Sequence, residues 1–197
     1  TMAALNGTNR PAGISLRDIA LRRGLTERLV RLYEQQISYV ADLEAARNRR
    51  TELAHEAQTW TGFAEPRPHS VLLLDALREG IQMERLEIAN GENALVMLAR
   101  LIEDNRNNLD QTEEKIRRFN EQFERNPNIN DTDNRIWLRE LERLHSQTIS
   151  AAIASLDLER QIRQERIDGS RIRLGLLQQQ AVIAGASAAF SDGDREM

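Results

Sequence analysis

Apolar residues recur every three or four positions along most of this chain, which is the spacing of one face of an α-helix. The longest series runs from Leu74 to Phe123 and keeps its phase through seven heptads. We call such a series a seam. Eleven of its fifteen positions are apolar: Leu74, Leu77, Ile81, Glu84, Ile88, Gly91, Leu95, Leu98, Ile102, Asn105, Leu109, Thr112, Ile116, Phe119 and Phe123. A seam this long is typical of a coiled coil.

Two further seams flank the long one. The first consists of Leu29, Leu32, Gln36, Tyr39, Leu43, Ala46, Arg50, Leu53, Ala57 and Trp60. The last consists of Trp137, Leu141, Leu144, Thr148, Ala151, Ser155, Leu158, Ile162, Glu165, Gly169, Ile172, Leu176, Gln179 and Ile183. Beside the last seam runs a second stripe of Ile149, Ile153, Leu156, Ile167, Leu174 and Leu177. Two adjacent stripes predict a helix that contacts two neighbours.

Prolines separate the three seams, because proline interrupts the interior of a helix. They are Pro11, Pro66, Pro68 and Pro127. We therefore predict one domain over residues 1–197 with helical arms at 15–60, 70–125 and 132–183. Short connections make consecutive helices antiparallel. The predicted fold is all-α and without a sheet, an elongated antiparallel coiled coil or up-down-up bundle of three long helices.

The helix ends carry their own signals. Ser15 with Asp18 resembles a capping box, and Ser70 is a good N-cap for the second arm. Gly24 predicts an interruption of the first arm, with Thr26 as the cap of a restart. Any of the residues 131–133 has a side chain that can cap the third arm.

Four non-hydrophobic residues occupy seam positions of the second arm: Glu84, Gly91, Asn105 and Thr112. Polar residues at such positions cost stability but fix the register between helices. We expect Asn105→Leu to raise thermal stability for this reason.

The stretch TWTGFAEPRPHS, residues 59–70, differs in composition from its surroundings. We interpret it as a turn between two helices, closed by aromatic packing and stiffened by proline. Its structural residues are Trp60, Gly62, Phe63, Pro66, Pro68 and Ser70. The other interpretation is an exposed docking patch, in which case the aromatic side chains are not buried.

Charge and composition exclude several classes of function. The 27 basic residues include one lysine, the net charge is −4, and no basic block occurs, which argues against nucleic-acid binding. Cysteine is absent, so the chain has no disulfide and no thiol nucleophile. Residues 1–14 lack the apolar region of a secretory signal, and 174–191, the longest uncharged run, is too polar for a membrane span.

No constellation of catalytic or metal-binding residues stands out in the sequence. His55, His69 and His145 are far apart and lack the spacing of a zinc site. A glycine-rich phosphate loop and a nucleophile elbow are both missing. We therefore expect no enzyme activity, no cofactor and no small-molecule substrate.

Two segments carry a resemblance to a known family. The run WTGFAEPRPHSVLLLDALRE (60–79) and the run ISAAIASLDLERQIRQERIDGSRIRLGLLQQQ (149–180), followed by FSDGD (190–194), resemble large members of the small-conductance mechanosensitive channel family of Gram-negative bacteria. The sequence departs from that pattern at His69, where an aromatic side chain is more common. The resemblance implies a helical periplasmic extension that precedes the membrane-spanning region of a bacterial inner-membrane protein.

The same resemblance implies the partners, which are copies of the chain within a channel ring and the membrane part of the same polypeptide. The extension then acts as a spacer, a sensor or an assembly element. The alternative is the coiled-coil hairpin of a periplasmic adaptor protein in an export system, whose tip docks an outer-membrane duct. Transmembrane helices after Met197 favour the channel, whereas lipoyl-like β-segments on both sides favour the adaptor.

Overall fold

Three long helices make up nearly all of the chain that the structure describes. The structure is a computed structural model, and it describes residues 14–64, 67–125, 132–186 and 188–189. Helix α1 spans Leu16–Thr59, α2 spans Val71–Arg125 and α3 spans Thr132–Gly185. These bounds lie within two residues of the predicted arms. The all-α prediction is confirmed.

Helices α2 and α3 are antiparallel. Leu177 of α3 lies against Gly80 of α2, and Ile167 lies against Gly91. Residue numbers on α3 therefore fall as those on α2 rise. This direction follows from the short connection between the two helices.

Helices α1 and α3 are parallel. The side-chain amide of Gln36 donates a hydrogen bond to the carbonyl of Ala151 at 2.8 Å, and Arg50 forms an ion pair with Glu165. Residue numbers on the two helices therefore rise together. With α2 antiparallel to α3, the order is up, down, up, as predicted.

The seams are the buried faces of the helices. All fifteen seam positions of the second arm and all ten of the first are buried or half-buried. In α3 the exception is Gln179, which is exposed near the end of the helix. All six residues of the second stripe on α3 are also buried or half-buried. Hydrophobic periodicity thus selects the contact faces, because these are the side chains that packing removes from water.

The start of α1 has the predicted capping box. The Ser15 hydroxyl accepts a hydrogen bond from the Asp18 amide at 3.1 Å, and the Asp18 carboxylate accepts one from the Ser15 amide at 3.3 Å. The predicted interruption at Gly24 is wrong. Helix α1 continues through this residue, and Thr26 donates to the Arg22 carbonyl as an interior residue does. Glycine costs only about 1 kcal/mol in a helix, and the buried Leu25 offsets that cost.

A two-residue parallel pair corrects the prediction of no sheet. Strand β1, His69–Ser70, precedes α2, and strand β2, Ala188–Ala189, follows α3. His69 pairs with Ala188 and Ser70 pairs with Ala189. The two segments meet because the antiparallel α2 and α3 bring the start of one helix and the end of the other together. Two residues are too few to show a strand period in sequence.

Two compact units divide the chain. The first contains the chain up to Ser38 and Arg100–Asp157, and the second contains Tyr39–Ala99 and the chain from Leu158 onward. Each helix contributes to both units. Every interhelical contact below lies inside one unit.

Some predicted features lie outside the described residues. They are Pro11, Pro66, Pro127, the connection 126–131 and the candidate capping side chains at 131–133. Among the described residues, no helix is long and apolar enough to cross a membrane.

Candidate functional site: the turn after α1 and a polar layer between the helices

Three rings follow one another through the turn after α1. The rings of Trp60 and Phe63 meet edge to face, with centroids 5.5 Å apart and planes at 81°. Phe63 meets His69 in the same manner at 4.8 Å and 60°. Such edge contacts add to the stabilisation that aromatic side chains gain from burial. The rings therefore connect the end of α1 to the segment that enters α2.

The turn packs onto the hydrophobic core of the second unit. Leu74, Leu77 and Ala184 form a buried cluster, and the half-buried Phe63 packs against it. Trp60 is also half-buried. The aromatic side chains thus face the start of α2 and the end of α3 instead of forming an exposed patch.

The backbone of the turn uses residues suited to its conformation. Gly62 has φ of +128°, a region that glycine enters without a steric penalty. The Arg67–Pro68 bond is cis. The Ser70 hydroxyl accepts a hydrogen bond from the Leu72 amide at 3.1 Å, which caps α2. Of the turn residues identified in sequence, Pro66 alone is not described.

His69 is a residue of this turn that the sequence did not single out. Its side chain is 4% exposed, and its Nδ1 has no hydrogen-bond partner among the described residues. Its backbone pairs with Ala188, which ties the turn to the chain after α3. The sequence signal was present, because His69 stands where the resembled family more often has an aromatic residue.

A polar layer crosses the second unit. The Glu165 carboxylate of α3 accepts a hydrogen bond from Arg47 Nε at 3.3 Å and lies 3.1 Å from Arg50 Nε. On the other side, Arg173 Nε lies 3.2 Å from a carboxylate oxygen of Glu84 on α2. The acidic side chains of Glu84 and Glu165 are 16% and 17% exposed. We call these five residues the polar layer.

The polar layer borders an open groove of about 400 Å³ to which all three helices contribute. Its charged lining residues are four arginines and four acids: Asp42, Arg49, Arg50, Glu84, Glu87, Glu165, Arg166 and Arg173. The charges balance in number, so the groove has no excess of either sign to attract a charged ligand. Ion pairing between the helices accounts for its half-buried carboxylates.

Two glycines allow close approach of the helices near the polar layer. A Cβ at Gly91 would meet Ile167 Cγ1 at 2.7 Å, closer than side chains pack. Gly169 is buried, and a Cβ there would lie 3.4 Å from a methyl group of Leu53. Gly91 is thus a contact site and not a gap in its seam.

The polar seam positions of the first unit bond within their own helix. The buried Thr112 hydroxyl donates to the Asn108 carbonyl at 2.9 Å, and the Asn105 amide donates to the Leu101 carbonyl at 2.7 Å. Thr148 on α3 bonds to its helix in the same manner. Because each bond is local, these side chains are satisfied without a partner on another helix.

Two exposed carboxyl groups have perturbed acidity. A hydrogen bond from Arg23 holds the pKa of Glu27 below its ordinary value, and the charge of Arg23 adds to this effect. A hydrogen bond from Arg118 lowers the pKa of Glu114, with a further contribution from Arg117. Both carboxyls belong to surface ion pairs of single helices, so neither marks a catalytic centre.

The remaining histidines do not form a site. His55 is exposed, and His145 Nδ1 lies 3.8 Å from Glu142 one turn earlier in the helix. In the part of the chain that the structure describes, no three His, Asp or Glu side chains converge as metal ligands would.

Several cross-helix partners were missed in sequence. Arg47 and Arg173 lie outside the seams, and so does the pair of Glu92 with Arg171 at 2.7 Å. Numbering offers one usable signal: α2 and α3 form a hairpin, so partners have residue numbers with a nearly constant sum.

No protein-family model, no curated protein and no solved structure matches the chain.

Proposed function

We propose that this chain is a helical spacer and assembly element without catalytic activity, which serves as the periplasmic extension of a small-conductance mechanosensitive channel. The observation that carries the proposal is the packing of the turn after α1. The W-T-G-F motif, on which the family resemblance partly rests, places Phe63 against the core cluster of Leu74, Leu77 and Ala184. A motif with this role closes a helical scaffold and needs no ligand.

The polar layer supports the same proposal. A spacer has to hold its helices in one register, and seam charges with partners on another helix serve this purpose. Glu165 lies between two arginines of α1, while Glu84 lies beside Arg173 of α3. The layer therefore ties both neighbours to α3.

The adaptor alternative agrees less well with the helix packing. An adaptor hairpin needs two antiparallel helices, which α2 and α3 supply. Here α3 also holds α1 through Gln36 and Arg50, so its wide apolar face is shared by two neighbours, as the two stripes predicted. A three-helix scaffold favours a spacer.

The test is the reading frame that encodes the chain, followed by the full-length protein in liposomes. We expect transmembrane helices and a β-domain after Met197, and stretch-activated currents in patches of the liposomes. Replacing residues 14–186 with a flexible linker should keep the conductance and alter the assembly or the opening threshold. Lipoyl-like segments on both sides, or full-length protein without currents, would refute the channel assignment.

A further inference from the structure

Besides its seam, α1 carries a second apolar stripe that no other part of the chain covers. In the first unit this stripe consists of Val30, Tyr33 and Ile37, spaced three and four residues apart. These side chains are 52–74% exposed, whereas the seam positions beside them are half-buried. Scattered apolar residues on a surface are ordinary, but a series at helical spacing indicates a contact face.

Helix α2 has a similar face in the second unit. Met83, Leu86 and Met97 lie on one side of the helix, with Asn90 and Ala94 at the intervening turns. The three large side chains are 56–61% exposed. Two of them are methionines, whose flexible side chains adapt to a partner surface. We call the two faces the α1 stripe and the α2 stripe.

Charge distinguishes the two stripes. The part of α1 from Leu16 to Ser38 has five arginines and three acidic residues, a net charge of +2. The part of α2 from Val71 to Ala99 has two arginines and five acidic residues, a net charge of −3. Glu79 and Glu87 border the α2 stripe. Contact between two α1 stripes or between two α2 stripes brings like charges together, whereas contact between an α1 stripe and an α2 stripe brings opposite charges together.

We infer that the α1 stripe of one copy docks on the α2 stripe of a second copy. The inference deepens the assembly role proposed above by naming the partner and the two surfaces. Because the surfaces differ, the contact is heterologous and leaves one free stripe of each kind on every pair. Such contacts continue into rings or filaments instead of stopping at a dimer. Each stripe is short, so we expect weak association, with a Kd of about 0.1 mM.

A mixing experiment tests this arrangement. Ile37→Glu removes the α1 stripe, and Met97→Glu removes the α2 stripe. Both side chains are exposed, so each variant should keep the melting temperature of the original chain. In sedimentation equilibrium we expect concentration-dependent oligomers for the original chain and monomers for each variant alone. An equimolar mixture of the two variants should form a one-to-one dimer that grows no further, because one intact stripe of each kind remains.

Cross-linking provides a second readout that tolerates weak binding. The chain has no cysteine, so introduced thiols are unique. Tyr33→Cys mixed with Leu86→Cys should give disulfide-linked heterodimers under mild oxidation, well above the yield of either variant alone. Arg49→Cys mixed with Leu86→Cys is a control for random collision.

Three results would overturn the inference. The original chain could remain monomeric up to about 1 mM. The two variants could fail to combine while each alone dimerises, which would indicate contact between like stripes. The original chain could stay monomeric and sediment with phosphatidylcholine vesicles, which would make the stripes a lipid surface. Each result leaves the channel assignment to its own test by reading frame and conductance.

Discussion

Gly91→Ala offers the sharpest test of the packing between α2 and α3. Two effects of opposite sign compete at this position. Alanine stabilises a helix interior by about 1 kcal/mol relative to glycine. The added Cβ would meet Ile167 Cγ1 at 2.7 Å and Cδ1 at 3.0 Å, and Ile167 is almost fully buried. Cγ1 lies near the backbone of a packed side chain, so it cannot move aside easily.

The magnitudes decide the sign of the change. Overpacking in a core costs about 1–3 kcal/mol, which exceeds the gain in helix propensity. We expect Gly91→Ala to lower the free energy of unfolding by about 1 kcal/mol net. In a chain of this size that corresponds to a loss of about 2–4 °C in melting temperature. Chemical denaturation followed by circular dichroism measures the free energy, and a thermal scan measures the shift.

Matched controls isolate the contact. A Cβ at Gly24 or Gly175 meets nothing within 4 Å, so alanine at either position should stabilise the chain by about 1 kcal/mol. Ile167→Ala costs about 2–5 kcal/mol by itself. In that background the overlap is gone, and Gly91→Ala should become stabilising. If Gly91→Ala stabilises the original chain as much as the controls do, the close approach of the two helices is wrong.

Three further predictions concern the turn, a polar seam position and a surface carboxyl. Trp60→Ala should cost about 2 kcal/mol, because the ring is half-buried, and should speed amide exchange at the ends of α1 and α2. Asn105→Leu should raise the melting temperature by a few degrees, about 1 kcal/mol, because its amide bonds only to its own helix and leucine is the better helix former. Arg118→Gln should raise the pKa of Glu114 in a carboxyl titration by NMR, because it removes the main hydrogen bond to the charged form.

Each of these predictions has a contrary outcome. Unchanged stability of Trp60→Ala together with loss of an association would make the turn a docking patch. A clear fall in melting temperature for Asn105→Leu would mean that its amide is needed at this site. For Glu114, a lowered folded-state pKa implies stabilisation that is complete above the unfolded-state pKa and lost as the pH falls through the folded-state pKa. Identical acid limbs for the original chain and Arg118→Gln in a pH-dependent unfolding series would contradict that linkage.

The helices were predictable because one periodic signal extends over each of them. Seven heptads in phase leave few alternatives for α2, and capping at Ser15 and Ser70 places two of the helix starts. The prediction failed where a weak local signal opposed packing. Gly24 reads as a break, but its cost in a helix is small beside the burial of Leu25 and its seam neighbours.

The polar layer was only half predictable. Sequence periodicity placed Arg50, Glu84 and Glu165 in seams, which marked them as unusual. Their partners depend on how far one helix slides along another, and periodicity within a helix does not contain that distance. Arg173 lies beside its seam, where an arginine reads as an ordinary solvated residue. The pairing of β1 with β2 was hidden for a similar reason, because it depends on where α2 begins relative to the end of α3.

Register between the helices follows from two contacts that specify the same alignment. If α3 slides along α1 by one heptad, Glu165 leaves Arg50 and faces Leu43 or Ala57. A largely buried carboxylate without its partner costs about 3–5 kcal/mol. The same slide along α2 moves Ile167 from Gly91 to Glu84 or Leu98, where a side chain occupies the space that glycine leaves open. An apolar seam alone tolerates such a shift, since leucine follows leucine. The charged and glycine positions, which weaken the seam locally, are therefore what makes one alignment of the three helices far more stable than its neighbours.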